Sequence, residues 1–195
     1  MAQIKVATTA GDLTVSSANN STLTLNGAGV TQPVQHNAAG KDLKFKALKV
    51  VISSSDEEIV KATGIGLSTI TFDTDSELTL SAQTEFVAEG NREIRMNGVL
   101  KGDKAFIVGN GTDVFFGNAA NNSTFTGGFK YKGTNSKITS NITPSANNPS
   151  LFLKAGASVQ PGVAANASLI LNGANTYGGN IMICLLYTSP SPRDS

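Results

Sequence analysis

The sequence predicts an all-β protein, a right-handed parallel β-helix in which short strands coil into a stack. Three observations predict it: apolar and polar residues alternate in short runs, turn-forming residues separate the runs, and short motifs recur along the chain. Apolar side chains two positions apart share one face of a strand. Helical spacing of apolar residues is sustained almost nowhere, so strands are the expected elements.

The predicted strands follow one another along the whole chain. Their apolar pairs are Leu13 and Val15, Leu23 and Leu25, Leu43 and Phe45, Ile70 and Phe72, Leu78 and Leu80, Ile94 and Met96, Leu151 and Leu153, and Leu169 and Leu171. Gly, Asn, Asp and Ser lie between the pairs and favour turns. One short helical turn or loop is expected at 56–62, where the alternation is interrupted.

Two motifs recur, and their recurrence predicts a stack of coils. LTLNGA at 23–28 returns as LILNGA at 169–174, with weaker echoes at 78–82 and 95–98. NSTFTGG at 122–128 returns as NTYGG at 175–179. The interval between these last two would hold two or three coils of ~20–25 residues each. An antiparallel sandwich would share the alternation and the turns, but recurring motifs favour the β-helix.

The last twelve residues continue no earlier pattern. Cys184 is the only cysteine, and the run from it to Asp194 resembles a sequencing-library adapter translated in one frame. We therefore expect 184–195 to be a non-native, disordered tail and 1–183 to be a β-helix that is incomplete at one or both ends.

Composition excludes several classes of function. Fifteen Lys and Arg balance fourteen Asp and Glu, which leaves a net charge of +1. That balance predicts no nucleic-acid partner. No apolar run reaches ~18 residues, so we expect no membrane insertion. A hydrophobic fraction of 39% is too high for a disordered linker.

The segment 168–180 resembles the autotransporter-associated β-strand repeat of Gram-negative passenger domains. A looser copy lies at 114–127, and the pattern departs at Gly178, where Thr or Ser is usual. The matching residues are Leu169, Leu171, Gly173, Asn175, Thr176, Tyr177 and Gly179, with Asn122, Phe125 and Gly127 in the looser copy.

This resemblance implies a passenger secreted across two membranes and displayed at the cell surface. A C-terminal β-barrel translocator would follow it in the full-length protein, and a secretion signal is not visible in the first residues. The implied role is that of a stalk or adhesin, with host-cell or matrix glycans and proteins as partners. A β-helical polysaccharide-cleaving enzyme, or a phage tailspike, is the alternative.

Few residues suggest chemistry, and we predict no catalytic residue and no cofactor. Asp73, Asp75 and Glu77 alternate, so on a strand they would share one face and bind Ca²⁺. Leu78 stands where a calcium loop of the helix-loop-helix type requires Gly, which favours a solvated strand or turn. His36 is the only histidine and is expected in the loop around Pro33, so a multi-histidine zinc site is excluded in this sequence.

One stretch of mixed charge would suit an enzyme that cleaves acidic polysaccharides. Such enzymes place carboxylates and a basic residue on neighbouring coils of one face. The stretch contains Glu85, Glu89, Arg92, Glu93 and Arg95. A solvated face or a salt-bridged loop is the favoured interpretation.

Overall fold

The computed structural model describes residues 4–7, 10–26, 32–53, 58–63, 68–90, 92–117, 125–131, 137–140, 157–159 and 168–171. All regular elements in these ranges are strands. They are β1 (Ile4–Val6), β2 (Leu13–Ser16), β3 (Thr22–Leu25), β4 (Val34–His36), β5 (Leu43–Lys46), β6 (Lys49–Ile52), β7 (Glu58–Ala62), β8 (Thr69–Phe72), β9 (Glu77–Leu80), β10 (Thr84–Ala88), β11 (Glu93–Met96), β12 (Val99–Gly102), β13 (Phe106–Val108), β14 (Asp113–Phe116), β15 (Phe129–Tyr131), β16 (Lys137–Ser140), β17 (Ala157–Val159) and β18 (Ser168–Leu171).

The strands form three parallel sheets, and the chain visits the sheets in turn. Sheet A has the order β1-β4-β7-β10-β13-β15-β17, sheet B the order β2-β5-β8-β11-β14-β16-β18, and sheet C the order β3-β6-β9-β12. Each of the first four coils therefore contributes one strand to every sheet. Every strand pairing in the described ranges is parallel, which confirms the predicted all-β parallel β-helix and rules out the antiparallel sandwich.

The coils are less uniform than the sequence predicts. In sheet A, Ile4 pairs with Val34, 30 positions later, and Val34 pairs with Val60, 26 positions later. Phe86 pairs with Val108, only 22 positions later. Since the strands in every coil are three to five residues long, the length differences lie in the corners between them.

The core consists of columns of apolar side chains that lie above one another in successive coils. In sheet B, the parallel register aligns one such column, in which five consecutive members are buried after the exposed Leu13. They are Leu43, Ile70, Ile94, Val114 and Ile138. Burial of each Leu, Ile or Val stabilises the fold by about 1.5–3 kcal/mol. A single coil cannot bury these residues alone, so the columns hold the molecule together along its axis.

Aromatic side chains fill the core of the later coils. The rings of Phe86 and Phe106 stack with centroids 4.0 Å apart, and Phe106 also contacts Phe116 and Phe129 at 5.8 and 5.4 Å. Phe125 meets Phe129 at 5.2 Å. All five rings are fully buried. Aromatic pairs of this kind add about 0.5–1.5 kcal/mol beyond their area burial.

One core column of sheet C continues past β12, the last strand of that sheet, and two backbone hydrogen bonds establish its next member. Ser81 N–H donates to the carbonyl of Ile52 at 2.9 Å, and Thr126 N–H donates in the same way to Gly102 at 2.9 Å. Phe125 therefore occupies, one coil later, the position that Leu80 and Gly102 occupy in sheet C. Gly102 has a φ of +108° and provides no side chain, and the next member of the column is the buried ring of Phe125.

Two expectations from the sequence are wrong. Residues 58–62 form strand β7, not a helical turn or loop, because parallel pairing to β4 and β10 and burial of Val60 and Ala62 override the weak local pattern. His36 is the last residue of β4, not a loop residue, and it is fully buried.

The recurring LxL motifs do not mark equivalent positions in the coil. The copies at 23–25 and 78–80 lie in β3 and β9 of sheet C, whereas 94–96 and 169–171 lie in β11 and β18 of sheet B. The motif therefore forms a strand in both sheet B and sheet C and does not mark one side of the coil.

Candidate functional site

A shallow depression lies at the corner between sheets B and C. Its volume is about 210 Å³, and we call it the B–C depression. Its lining residues are Asn20, Lys49, Thr74, Asp75, Ser76, Glu77 and Val99. It is a candidate site because it contains two of the three carboxylates that the sequence analysis identified.

Unequal corner lengths produce the depression. Five residues (17–21) connect β2 to β3 and four (73–76) connect β8 to β9, but only two (47–48) connect β5 to β6. The short corner of the second coil therefore lies between two longer ones. Ala47 makes this tight turn with a φ of 50°, in the left-handed region that L-residues adopt at a cost.

The three predicted calcium ligands do not share a strand face. Asp73 and Asp75 lie in the turn after β8, and Glu77 is the first residue of β9. Asp75 Oδ1 accepts a hydrogen bond from Ala47 N–H at 2.9 Å. Asp73 lies 3.9 Å from Lys44 Nζ, and Glu77 forms a 2.6 Å ion pair with Lys101. The carboxylates thus bind three different partners on the protein itself.

The chemistry that the B–C depression offers is hydrogen bonding by exposed polar side chains. Among the described residues, no three His, Cys, Asp or Glu side chains are grouped closely enough to hold a metal ion. Asn20, Thr74 and Asp75 are exposed polar residues at the rim, beside the exposed Lys49. Such side chains can contact hydroxyl-rich or anionic ligands through single exposed hydrogen bonds.

The mixed-charge stretch is divided between two faces of the coil. Glu85 is buried in β10 of sheet A, and Glu89 pairs with Lys61 of the preceding coil at 2.8 Å. Glu93 and Arg95 pair with each other in sheet B at 2.7 Å. These residues therefore do not converge on one cleft.

A buried polar cluster that was not predicted from the sequence contains His36 and Arg92, and we call it the His36–Arg92 cluster. The Arg92 guanidinium donates to the carbonyl of His36 at 3.3 Å and to that of Ala38 at 3.2 Å. His36 Nε2 lies 2.6 Å from the Lys41 carbonyl. The spacing of Val34 and His36 is the signal in the sequence that could have predicted a buried imidazole. No local pattern distinguishes Arg92 from a surface residue.

Burial sets the electrostatics of this cluster. Desolvation is the main cause that lowers the pKa of His36, and the nearby Arg92 charge adds to it; the bond to Lys41 and the charges of Asp42 and Asp12 oppose it. Desolvation also lowers the pKa of Arg92, although Glu89 opposes that shift. The imidazole is therefore held in its neutral form, while the guanidinium binds backbone carbonyls.

Some residues of the repeat motif lie in the described ranges. Leu169 and Leu171 are in β18. Phe125 is buried, and a Cβ on Gly127 would lie 2.0 Å from the Lys104 carbonyl, so this corner requires glycine. The other motif residues and the predicted tail lie outside the described residues; they are Asn122, Gly173, Asn175, Thr176, Tyr177, Gly179 and 184–195.

Within the described ranges, no helix has the length and apolar character needed to cross a bilayer. Comparison of the chain with protein-family models, with curated proteins and with solved structures finds no match. The resemblance to the autotransporter-associated repeat therefore stays a prediction, and the β-helical fold is the basis for a proposed function.

Proposed function

We propose that this chain is a structural, adhesin-like segment of a surface-displayed passenger, a β-helical stalk that presents binding surfaces. The observation that carries the proposal is the continuous parallel core, in which each coil is held by its neighbours. Such a molecule lengthens by ~4.8 Å per coil, the spacing of paired strands. Its rigidity comes from the columns and needs no ligand.

The outer faces of the coils supply the proposed binding surface. On sheet C, the register aligns the outward residues of the first coils into rows. One row contains Thr24, Val51, Thr79 and Lys101, and the other contains Thr22, Lys49, Glu77 and Val99. The two rows together present three threonine hydroxyls, two lysine ammonium groups, one carboxylate and two valine side chains along the axis. Repeated weak contacts to glycans or proteins of a host cell or matrix would add by multivalency.

A direct test compares binding by single and clustered copies of the full chain. Biotinylated protein would be presented as a monomer or on streptavidin tetramers to immobilised matrix glycans and glycoproteins, and binding would be followed by interferometry. We expect weak binding by the monomer and a gain on the order of 10²–10⁴ for the tetramer.

A matched pair of variants locates the surface. Thr24→Asp with Thr79→Asp should abolish binding, whereas Lys5→Asp with Gln35→Asp on the outer face of sheet A should retain it. The absence of binding by clustered protein would contradict the adhesin role. Release of new reducing ends from an acidic polysaccharide would instead support the enzymatic alternative.

A further inference from the structure

The His36–Arg92 cluster joins two coils that are not neighbours. His36 ends β4 in the second coil, and Arg92 immediately precedes β11 in the fourth. Both side chains are buried, with exposed fractions of 0% and 2%. Because the His36 carbonyl also accepts a 2.8 Å bond from Thr63 N–H of the third coil, one peptide group connects the A–B corners of three coils.

The hydrogen bonds determine the tautomer of His36. The Lys41 carbonyl can only accept, so Nε2 carries the proton and Nδ1 presents a lone pair. Nδ1 is buried and has no hydrogen-bond partner among the described residues. In the register of sheet A, Val6 and Ala62 lie on either side of His36, and both are apolar. A proton added at Nδ1 would therefore meet no acceptor in the part of the chain that the structure describes.

We propose that the His36–Arg92 cluster is an acid-sensitive latch, which holds the A–B corners together while His36 is neutral and opens them when His36 is protonated. This inference is independent of the proposed adhesin role. When the A–B corners open, water hydrates the imidazolium of His36. The Arg92 guanidinium then no longer binds the carbonyls of His36 and Ala38. A buried charge without a partner is costly, whereas the same charge in water is not.

The charges that face the cluster set the direction of the pH effect. Arg92 repels an imidazolium, whereas Asp42 and Asp12, before β5 and β2, attract it. Glu89 acts on Arg92 from the same corner. Burial and Arg92 prevail, because the pKa of His36 lies below its ordinary value of 6.5. The unfolded chain then binds more protons than the folded chain below pH 6.5, so stability decreases as the pH falls.

The single histidine of the chain makes a clean test possible. Urea unfolding of the full chain would be followed by circular dichroism between pH 7.0 and 5.0, for wild type and His36→Gln. Gln can still donate to the Lys41 carbonyl but does not titrate. For wild type, we expect the equilibrium constant for folding to fall by up to about tenfold per pH unit below 6.5. His36→Gln should lack this component.

Amide hydrogen exchange separates a local latch from a general loss of stability. After correction for intrinsic exchange, the amide of Thr63, which donates to the His36 carbonyl, should exchange faster at pH 5.5 than at pH 7.0. The amide of Val99, bonded to Ser76 at the B–C corner, should accelerate less than that of Thr63, because only the decrease in overall stability acts on it. Equal pH dependence of wild type and His36→Gln, or an imidazole that titrates at 6.5, would overturn the proposal.

Discussion

Asp75 Oδ1 accepts a 2.9 Å hydrogen bond from the backbone N–H of Ala47, one coil earlier in the stack. A residue that the sequence suggests as a calcium ligand is thus bound to the backbone of the neighbouring coil. Ala47 needs this support, since its φ of 50° is unfavourable for a residue with a Cβ. The corner of one coil is stabilised by a side chain of the next.

Removal of this bond should cost a modest amount of stability. We expect Asp75→Ala to lower the free energy of unfolding by about 0.5–1.5 kcal/mol, because the Ala47 amide loses its acceptor. Asp75→Asn retains an acceptor oxygen and should lose less than half as much. Urea unfolding at constant pH measures both, and equal losses would show that the hydrogen bond is not the cause.

The backbone of Ala47 predicts a stabilising substitution. The left-handed conformation costs an L-residue about 1–2 kcal/mol, and glycine costs about 0.5–1 kcal/mol in entropy. Ala47→Gly should therefore raise the free energy of unfolding by about 0.5–1 kcal/mol. Ala47→Val, with a branched Cβ in the same conformation, should lower it. Thermal unfolding of both variants gives the sign of each effect.

Gly102 and Gly127 lie where neighbouring coils approach closely, whereas Gly11 lies in open space. A Cβ at Gly102 would lie 2.2 Å from the Leu80 carbonyl, and one at Gly127 would lie 2.0 Å from the Lys104 carbonyl. We expect Gly102→Ala and Gly127→Ala each to destabilise the fold by about 2 kcal/mol or more, since backbone must move. Gly11 has no atom within 4 Å of its Cβ position, so Gly11→Ala should be neutral in the same unfolding measurement.

The packed phenylalanine rings of the later coils should contribute strongly to the free energy of unfolding. Phe106 contacts Phe86, Phe116 and Phe129, and Phe106→Ala should lower the free energy of unfolding by about 3–5 kcal/mol through the cavity that it leaves. Phe115, on the outer face with Arg95 5.5 Å from its ring, provides the control. Phe115→Ala should cost less than a third as much, and comparable losses would contradict the assigned core.

Much of the strand content is readable from local sequence. The pairs Leu43 and Phe45, or Ile70 and Phe72, alternate with polar residues, and each forms a strand with both members buried. β13 is harder to read because all three of its residues, Phe106–Val108, are buried and no alternation remains. β7 was misread because its register is imposed by β4 and β10.

The candidate site was less predictable than the strands. Asp73, Asp75 and Glu77 were identified from their spacing, but that spacing places them together only on a continuous strand. The turn at 73–76 separates them instead and directs Asp75 to Ala47 of another coil. The B–C depression lies where a two-residue corner is flanked by corners of five and four residues, and corner length is not encoded in the strand pattern.

The fold class can be read from the amino-acid sequence. Alternation with a period of two is a local property, and turn residues at frequent intervals limit the strands to the few residues that a coil requires. Contacts between coils determine which polar residues are buried, where the depression lies and which positions require glycine. Parallel pairing joins residues 20 to 31 positions apart, so no local pattern in the sequence predicts a contact such as that of Arg92 with the His36 carbonyl.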